Sequence, residues 1–176
     1  GKLTAGWNLS LSGNMKKLGV LLFMGLISCQ SSQEISVKDL ATHYFEIYAE
    51  RSDWQGFQDL FADDLVFEDV IFRYQMDKKG LIEFYNWPDS AFQKHPNFPQ
   101  TLILENLTVN DSSAIGSGYF NPFYYGGQLL SDEHHWRFTI ELKFDKEGKI
   151  SYQKDFIEYA PEYLKAAAEG ILNKWP

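Results

Sequence analysis

The sequence predicts a single α+β domain, in which N-terminal helices pack on a curved antiparallel sheet and one further helix follows at the C-terminal end. Two observations support this fold class. Helix-period patterns come first, between residues 37 and 85, and period-two patterns dominate residues 101 to 157. Helices followed by a run of strands is an order typical of α+β domains. The 176 residues suffice for one sizeable core but not for two full domains.

Three short helices are predicted before the main run of strands. The first covers about Val37 to Ala49, where Tyr44 and Tyr48 share one face at helical spacing. Asp53 is a good N-cap for a second helix, because a short acidic side chain accepts a hydrogen bond from the first turn. Asp77 precedes a third helix with the sequence KKGLIEFY.

Five segments have strand character. They cover residues 65–69, 101–109, 114–120, 134–144 and 149–157. The fourth, HHWRFTIELKF, alternates apolar and polar residues, which indicates one buried face and one face open to solvent or a second subunit. A proline-rich segment, NWPDSAFQKHPNFPQ, precedes the second strand and is predicted to be an irregular connection or a lid. Pro161 suits the first turn of a final helix, PEYLKAAAEGILNKW.

The N-terminal segment has the pattern of a secretory signal. Residues 15–28, MKKLGVLLFMGLIS, hold two lysines and an apolar run much shorter than the roughly 20 residues that a membrane span needs. The ending LISC resembles the bacterial lipobox, whose cysteine, here Cys29, is lipidated. That resemblance implies a lipid-anchored protein of the bacterial cell envelope, with the outer membrane favoured. Residues 1–14 are then a non-native or mis-annotated leader, 29–36 a tether and 37–176 the folded domain.

Composition excludes several classes of function. The formal net charge of −8 argues against nucleic acid as a partner. The sequence holds no phosphate-binding glycine loop, no G-x-S-x-G elbow and no cluster with metal-ligand spacing, so neither a cofactor nor a metal is predicted. His134 and His135 cannot chelate one ion, because neighbours on a strand point to opposite faces.

Three segments, in their order and spacing, resemble the NTF2-like superfamily, particularly its SnoaL-like and ketosteroid-isomerase-like branches, over about Val37 to Tyr159. They are AERSDWQGFQDLFADDLVFEDV, KKGLIEFY and LKFDKEGKISYQKDFIEY. The resemblance implies a cone-shaped sheet over helices, with a pocket for a small molecule and a homodimer formed through the outer sheet face.

Asp69 is the candidate catalytic residue. By the resemblance it takes the place of the isomerases' carboxylate base, with Tyr44, or Phe45, near the tyrosine that donates to the oxyanion. The second acid of that oxyanion hole falls at Ile140, which argues against an isomerase of that type. The residues alone also allow Asp69 to cap the turn after its strand, or to bond to Tyr44 or Tyr48 as a structural pair.

Six further side chains are predicted to contact a ligand. They are Tyr48, Trp54, Phe67, Trp136, His134 and Asp155. The resemblance to SnoaL-like cyclases implies that Asp155 faces the pocket. Strict alternation places Asp155 on the same strand face as Gln153 and opposite Phe156. A bulge near the end of that strand would reverse this assignment. The aromatic run YFNPFYYGG allows a ligand platform or a plain hairpin, and we favour the hairpin.

Three functions follow from these observations. The favoured one is an exported, lipid-anchored protein that binds a small apolar or amphipathic ligand in its cone. The second is a SnoaL-like isomerase, cyclase or dehydratase that uses Asp69. The third is a protein-interaction module that acts through the outer sheet face.

Overall fold

The computed structural model describes residues 36–131 and 135–168. The helices in this part of the chain are α1 (Val37–Glu50), α2 (Trp54–Asp59), α3 (Lys78–Tyr85) and α4 (Pro161–Ala168). The strands are β1 (Phe61–Asp69), β2 (Tyr74–Met76), β3 (Phe92–Lys94), β4 (Leu102–Val109), β5 (Ser113–Phe120), β6 (Phe123–Tyr125), β7 (Gln128–Leu130), β8 (Arg137–Phe144) and β9 (Ile150–Ile157). The leader, the signal peptide, most of the tether, Cys29 and His134 lie outside the described residues, so what the sequence indicates for them stays a prediction.

The main sheet has six strands in the order β2-β1-β9-β8-β5-β4, and a small sheet joins β3, β6 and β7. Neighbouring strands run antiparallel except for β1 and β9, which pair in parallel. Helices α1, α2 and α3 contact strands of the main sheet. The predicted α+β class is therefore confirmed, and the parallel pair is the one departure from an antiparallel main sheet.

Local sequence explains where the helices begin and end. The carboxylate of Asp53 accepts a hydrogen bond from the backbone N–H of Gly56, and Asp77 does the same for Gly80, each over 2.8 Å. Such N-caps satisfy N–H groups that have no partner inside the helix. Helix α1 ends at Glu50, and the next residue, Arg51, is its C-cap and has a left-handed φ of 46°. The predicted N-cap at Asp53 thus forms, and Asp77 caps the third helix in the same way.

Alternation along β8 and β9 decides what faces the interior. The apolar face of β8 is buried. On β9 the buried positions are Ile150, Gln153, Asp155 and Ile157, while Phe156 points outward. Strict alternation therefore holds at the end of β9, and Asp155 shares the inner face with Gln153. Two polar residues on a buried strand face require partners, because unpaired polar groups are costly to bury.

The small sheet was not predicted. Strand β3 lies inside the segment expected to be irregular, and β6 and β7 form a hairpin whose two-residue turn is Gly126-Gly127. Both glycines have positive φ, at 58° and 83°, as the tight hairpin turn requires. The hairpin interpretation of YFNPFYYGG matches this geometry. Three-residue strands carry too little alternation to be recognised in a sequence.

Candidate functional site

A cavity of about 400 Å³ lies between the main sheet, the small sheet and helices α3 and α4. Of the 18 described residues that line it, ten are aromatic. Tyr163 on α4 closes part of the wall by packing on Trp136, with ring centres 4.9 Å apart. This volume is in the range of small-molecule sites, and a wall of rings with a few polar groups is their usual composition.

Asp155 is the buried carboxyl in this wall, with 1% of its surface exposed. The hydroxyl of Tyr85 donates to its Oδ2 over 2.8 Å, and Gln153 Nε2 donates to its Oδ1 over 2.9 Å. The same Gln153 nitrogen lies 3.1 Å from Tyr85 Oη, to which it also donates. Tyr85 and Gln153 therefore hold the carboxyl in one orientation at the cavity.

Burial raises the pKa of Asp155 to about 7, against the opposing effect of the hydrogen bonds from Gln153 and Tyr85. Desolvation dominates because the charged form loses its water without gaining a cation. Ile140 is the residue opposite Asp155 on β8, and it is fully buried. An apolar neighbour at that position contributes to the low polarity around the carboxyl. Near neutral pH the group can thus both accept and donate a proton.

Asp69 lies beside Asp155 in the parallel pairing of β1 with β9, yet it does not line the cavity. Its Oδ1 accepts hydrogen bonds from the N–H groups of Ile71 and Phe72, at 2.9 and 2.8 Å. Its Oδ2 accepts from the hydroxyl of Tyr159 over 2.8 Å. Asp69 therefore caps the turn that follows β1, which corrects the expectation that it is aimed into the pocket.

Three other predicted site residues also lie away from the cavity wall. Tyr44 is completely buried among core rings, with its ring centre 4.9 Å from that of Phe45. Phe67 is completely buried, and Trp54 packs on Phe57 and other core rings. Helical and strand spacing identified these residues as inward-facing. In this fold, however, an inward-facing side chain can pack in the core between the helices and the sheet instead of lining the cavity.

Tyr48, Trp136 and Asp155 do line the cavity. The fold brings them together from α1, from the residue directly before β8, and from β9, respectively. Their contact with a ligand stays a prediction. His134 lies outside the described residues.

Arg51 is a lining residue that the sequence reasoning missed. Its guanidinium carbon lies 3.7 Å from the centre of the Phe92 ring and 5.1 Å from that of Trp87. Burial lowers the pKa of Arg51 to about 10, so the group stays charged at neutral pH. A cation over aromatic faces is a favourable arrangement when little water is present.

Tyr85, Gln153 and Tyr159 were also missed. One signal was available: alternation places Gln153 and Asp155 on the face that carries Ile157, and adjacent polar residues on a buried face often serve a site. No such signal exists for Tyr85 or Tyr159, because the sequence pattern does not distinguish either one from an aromatic residue that simply packs in the core.

Two absences apply to residues 36–131 and 135–168. No group of three or more His, Cys, Asp or Glu side chains is arranged to hold a metal ion there. The helices in these ranges are all too short or too polar to traverse a bilayer.

Comparison with known proteins finds likeness in structure and not in sequence. No family model and no curated protein matches the chain. Among solved structures, a SnoaL-like protein from Shewanella putrefaciens, named as a candidate polyketide cyclase, aligns with a TM-score of 0.57 at 16% identity. That alignment covers 75% of this chain and 96% of the other.

Two further structures show the range of proteins that share the architecture. An NTF2-like protein from Burkholderia thailandensis aligns with a TM-score of 0.56 at 14% identity, over 76% of this chain and 97% of the other. An LEH-like epoxide hydrolase from M. tuberculosis aligns with a TM-score of 0.54 at 11% identity, over 78% of this chain and 90% of the other. The sequence resemblance is confirmed at the level of architecture: this chain has the NTF2-like α+β cone fold.

Proposed function

We propose that this protein binds a small amphipathic molecule in the aromatic cavity of its cone. The observation that carries the proposal is a cavity of about 400 Å³ with Asp155 held in its wall by two hydrogen bonds. Rings such as Tyr48 and Trp136 supply apolar surface, and burial of that surface drives binding. Asp155 then offers a polar contact with a fixed direction, which selects ligands that carry a matching group.

Export and lipid anchoring complete the proposal. The segment MKKLGVLLFMGLISC supports cleavage before Cys29 and lipidation of that residue. Attachment to a bacterial envelope membrane, the outer one by preference, would then place the cavity outside the cytoplasm. A binding role is consistent with a location outside the cytoplasm, because most metabolic intermediates are not found there.

Native mass spectrometry of the protein from its own host tests both parts. We expect a mature chain that begins at a diacylated Cys29 and carries a non-covalent molecule. Leu130→Trp should abolish the bound molecule, because Leu130 lines the cavity and a larger side chain fills it. Leu129→Trp is the matched control, since Leu129 is exposed on the same strand. A protein without bound molecule, or one that keeps it in both variants, would contradict the binding proposal.

A second candidate function is acid/base catalysis in the same cavity, with Asp155 rather than Asp69 as the proton carrier. The observation in its favour is a fully buried carboxyl in the cavity wall, that of Asp155, whose pKa is raised by burial to about 7. A group with that pKa exchanges protons efficiently at neutral pH. If the molecule released from the native protein is converted to a product by wild type and not by Asp155→Asn, the protein is an enzyme. Unchanged recovery with wild type leaves the binding role.

We also propose that two copies associate through the outer face of the main sheet. Val66, Ile115 and Phe156 are exposed there, at 37%, 46% and 41% of their surface. The charges on this face are paired within the chain, as in Lys154 with Glu68 at 3.2 Å. Exposed apolar groups among paired charges are suited to burial against a second copy. In analytical ultracentrifugation, Ile115→Lys should give a monomer, and a monomeric wild type would contradict this proposal.

A further inference from the structure

Among the described residues, the charged side chains in the cavity wall are Arg51, Glu83, Asp89 and Asp155. The three acids all have partners within the chain. Asp155 accepts hydrogen bonds from Tyr85 and Gln153. Asp89 accepts from the backbone N–H of Ala91 over 2.9 Å and from the hydroxyl of Tyr125 over 3.3 Å. Glu83 lies 3.8 Å from the ammonium group of Lys79.

Arg51 differs from these acids. Among the described residues, no carboxylate oxygen lies within 4.0 Å of its guanidinium, and its buried Nε has no hydrogen-bond partner. The ring of Phe92 covers one face of the group, and Trp87 lies nearby. Stacking on a ring satisfies the face of a guanidinium and leaves the N–H groups at its edge to bond elsewhere.

Lys94 adds a second positive charge beside Arg51. Its ammonium group donates to the backbone carbonyl oxygens of Glu50 and Pro99. Partial burial and the nearby charge of Arg51 lower the pKa of Lys94. Two neighbouring cations repel each other, and removing them from water adds to that cost, which the carboxylate of Glu50 offsets only in part at Lys94. A bound anion would offset both effects.

We propose that the ligand of the cavity is a small amphipathic carboxylate, whose anionic group pairs with the edge of Arg51 while its apolar body lies against the rings. The proposal rests on the binding function above and specifies its ligand class. A carboxylate matches the planar donor edge of a guanidinium through two parallel hydrogen bonds. A doubly charged phosphate is less suitable, because Glu83 and Asp89 lie in the same wall.

A pair of probes that differ only in charge tests this ligand class. We choose 1-naphthaleneacetate and 1-naphthaleneacetamide, measured by isothermal titration calorimetry at pH 7 with the full chain. The acid should bind wild type at least about tenfold more tightly than the amide, since hydrogen bonds to charged groups are the stronger ones. Arg51→Gln should weaken binding of the acid about tenfold to a hundredfold and leave the amide unchanged.

Arg73→Gln is the matched control. Arg73 is exposed, does not line the cavity and has a left-handed φ of 59°, close to the 46° of Arg51. Both variants remove one positive charge at a similar backbone conformation. We expect Arg73→Gln to keep the preference for the acid, and thermal melts should show that both variants fold.

Three results would overturn the ligand class. They are equal affinity of wild type for acid and amide, failure of the acid to bind, and an acid preference that survives in Arg51→Gln. If the amide binds and Leu130→Trp abolishes that binding, the cavity is a binding site and only the carboxylate assignment fails. If neither probe binds and the native protein carries no molecule, the binding function fails as well.

Discussion

Tyr159 donates a hydrogen bond of 2.8 Å to Asp69 Oδ2, and of these two residues the phenol lines the cavity while the carboxyl does not. Asp69 and Asp155 are partners in the parallel pairing of β1 and β9, so two buried acids lie side by side but bond to different groups. Asp69 accepts hydrogen bonds from a turn and from Tyr159, whereas Asp155 faces the cavity.

Asp155 should make stability depend on pH. Its pKa is about 7 in the folded protein and near 3.8 when exposed, so the folded state binds the proton more tightly. The stabilisation is complete below about pH 4 and is lost as the pH rises through about 7. It amounts to at most roughly 4 kcal/mol. Urea unfolding at pH 4 to 8 should show that Asp155→Asn is less sensitive to pH than wild type, and equal pH dependence would contradict the assignment.

Asp69 should be needed for stability. Asp69→Ala leaves the N–H groups of Ile71 and Phe72 and the hydroxyl of Tyr159 without their acceptor. We expect the free energy of unfolding to fall by about 2 to 4 kcal/mol, as for other buried hydrogen bonds to a charged group. Asp69→Asn keeps one acceptor oxygen and should cost less than half as much. Urea denaturation checks both, and a fully stable alanine variant would contradict the turn-capping role.

Tyr85 should control the acidity of Asp155. Its hydroxyl stabilises the ionised carboxyl, so Tyr85→Phe should raise the pKa of Asp155 further. Carboxyl carbon chemical shifts followed by NMR over a pH titration would report this change directly. Tyr125→Phe is the control, because Tyr125 donates to Asp89 instead. An unchanged titration in Tyr85→Phe would show that the hydrogen bond does not tune the acid.

Gly118 should tolerate no side chain. A Cβ at this position would lie 1.9 Å from the backbone carbonyl oxygen of Ile103, on the adjacent strand. The carbonyl group of Ile103 is part of a paired strand and cannot move away from an added Cβ. Gly118→Ala should therefore destabilise the protein by at least about 2 kcal/mol. Gly126→Ala, where a Cβ meets nothing within 4 Å, should cost only about 1 kcal/mol for its positive φ. Thermal unfolding of both variants measures the difference, and equal stabilities would contradict the clash.

Much of the architecture was predictable because it depends on local patterns. Asp53 caps its helix as expected, since a cap involves residues only three positions apart, and Asp77 caps the next helix with the same spacing. The alternation of β8 correctly placed its apolar face inside, because the strand period is independent of the partner strand. The small sheet and β2 escaped prediction, because three residues are too few to show a period.

The candidate site was predictable only in part. Asp155, Tyr48 and Trp136 line the cavity, whereas Asp69 and Tyr44 do not, and the residue pattern left the face of Asp155 open. Spacing assigns a residue to a face, but it does not separate a cavity wall from a packed core on the same side of the sheet.

By itself, the sequence determined the α+β class, the N-cap at Asp53 and the inward face of β8. It also predicts a signal for export. Only the tertiary structure decided that Asp155 faces the cavity while Asp69 caps a turn, and that Arg51 lies in the wall without a carboxylate partner among the described residues. The physical reason is distance along the chain. Tyr159 reaches Asp69 from 90 residues away and Tyr85 reaches Asp155 from 70, and no local pattern encodes such contacts.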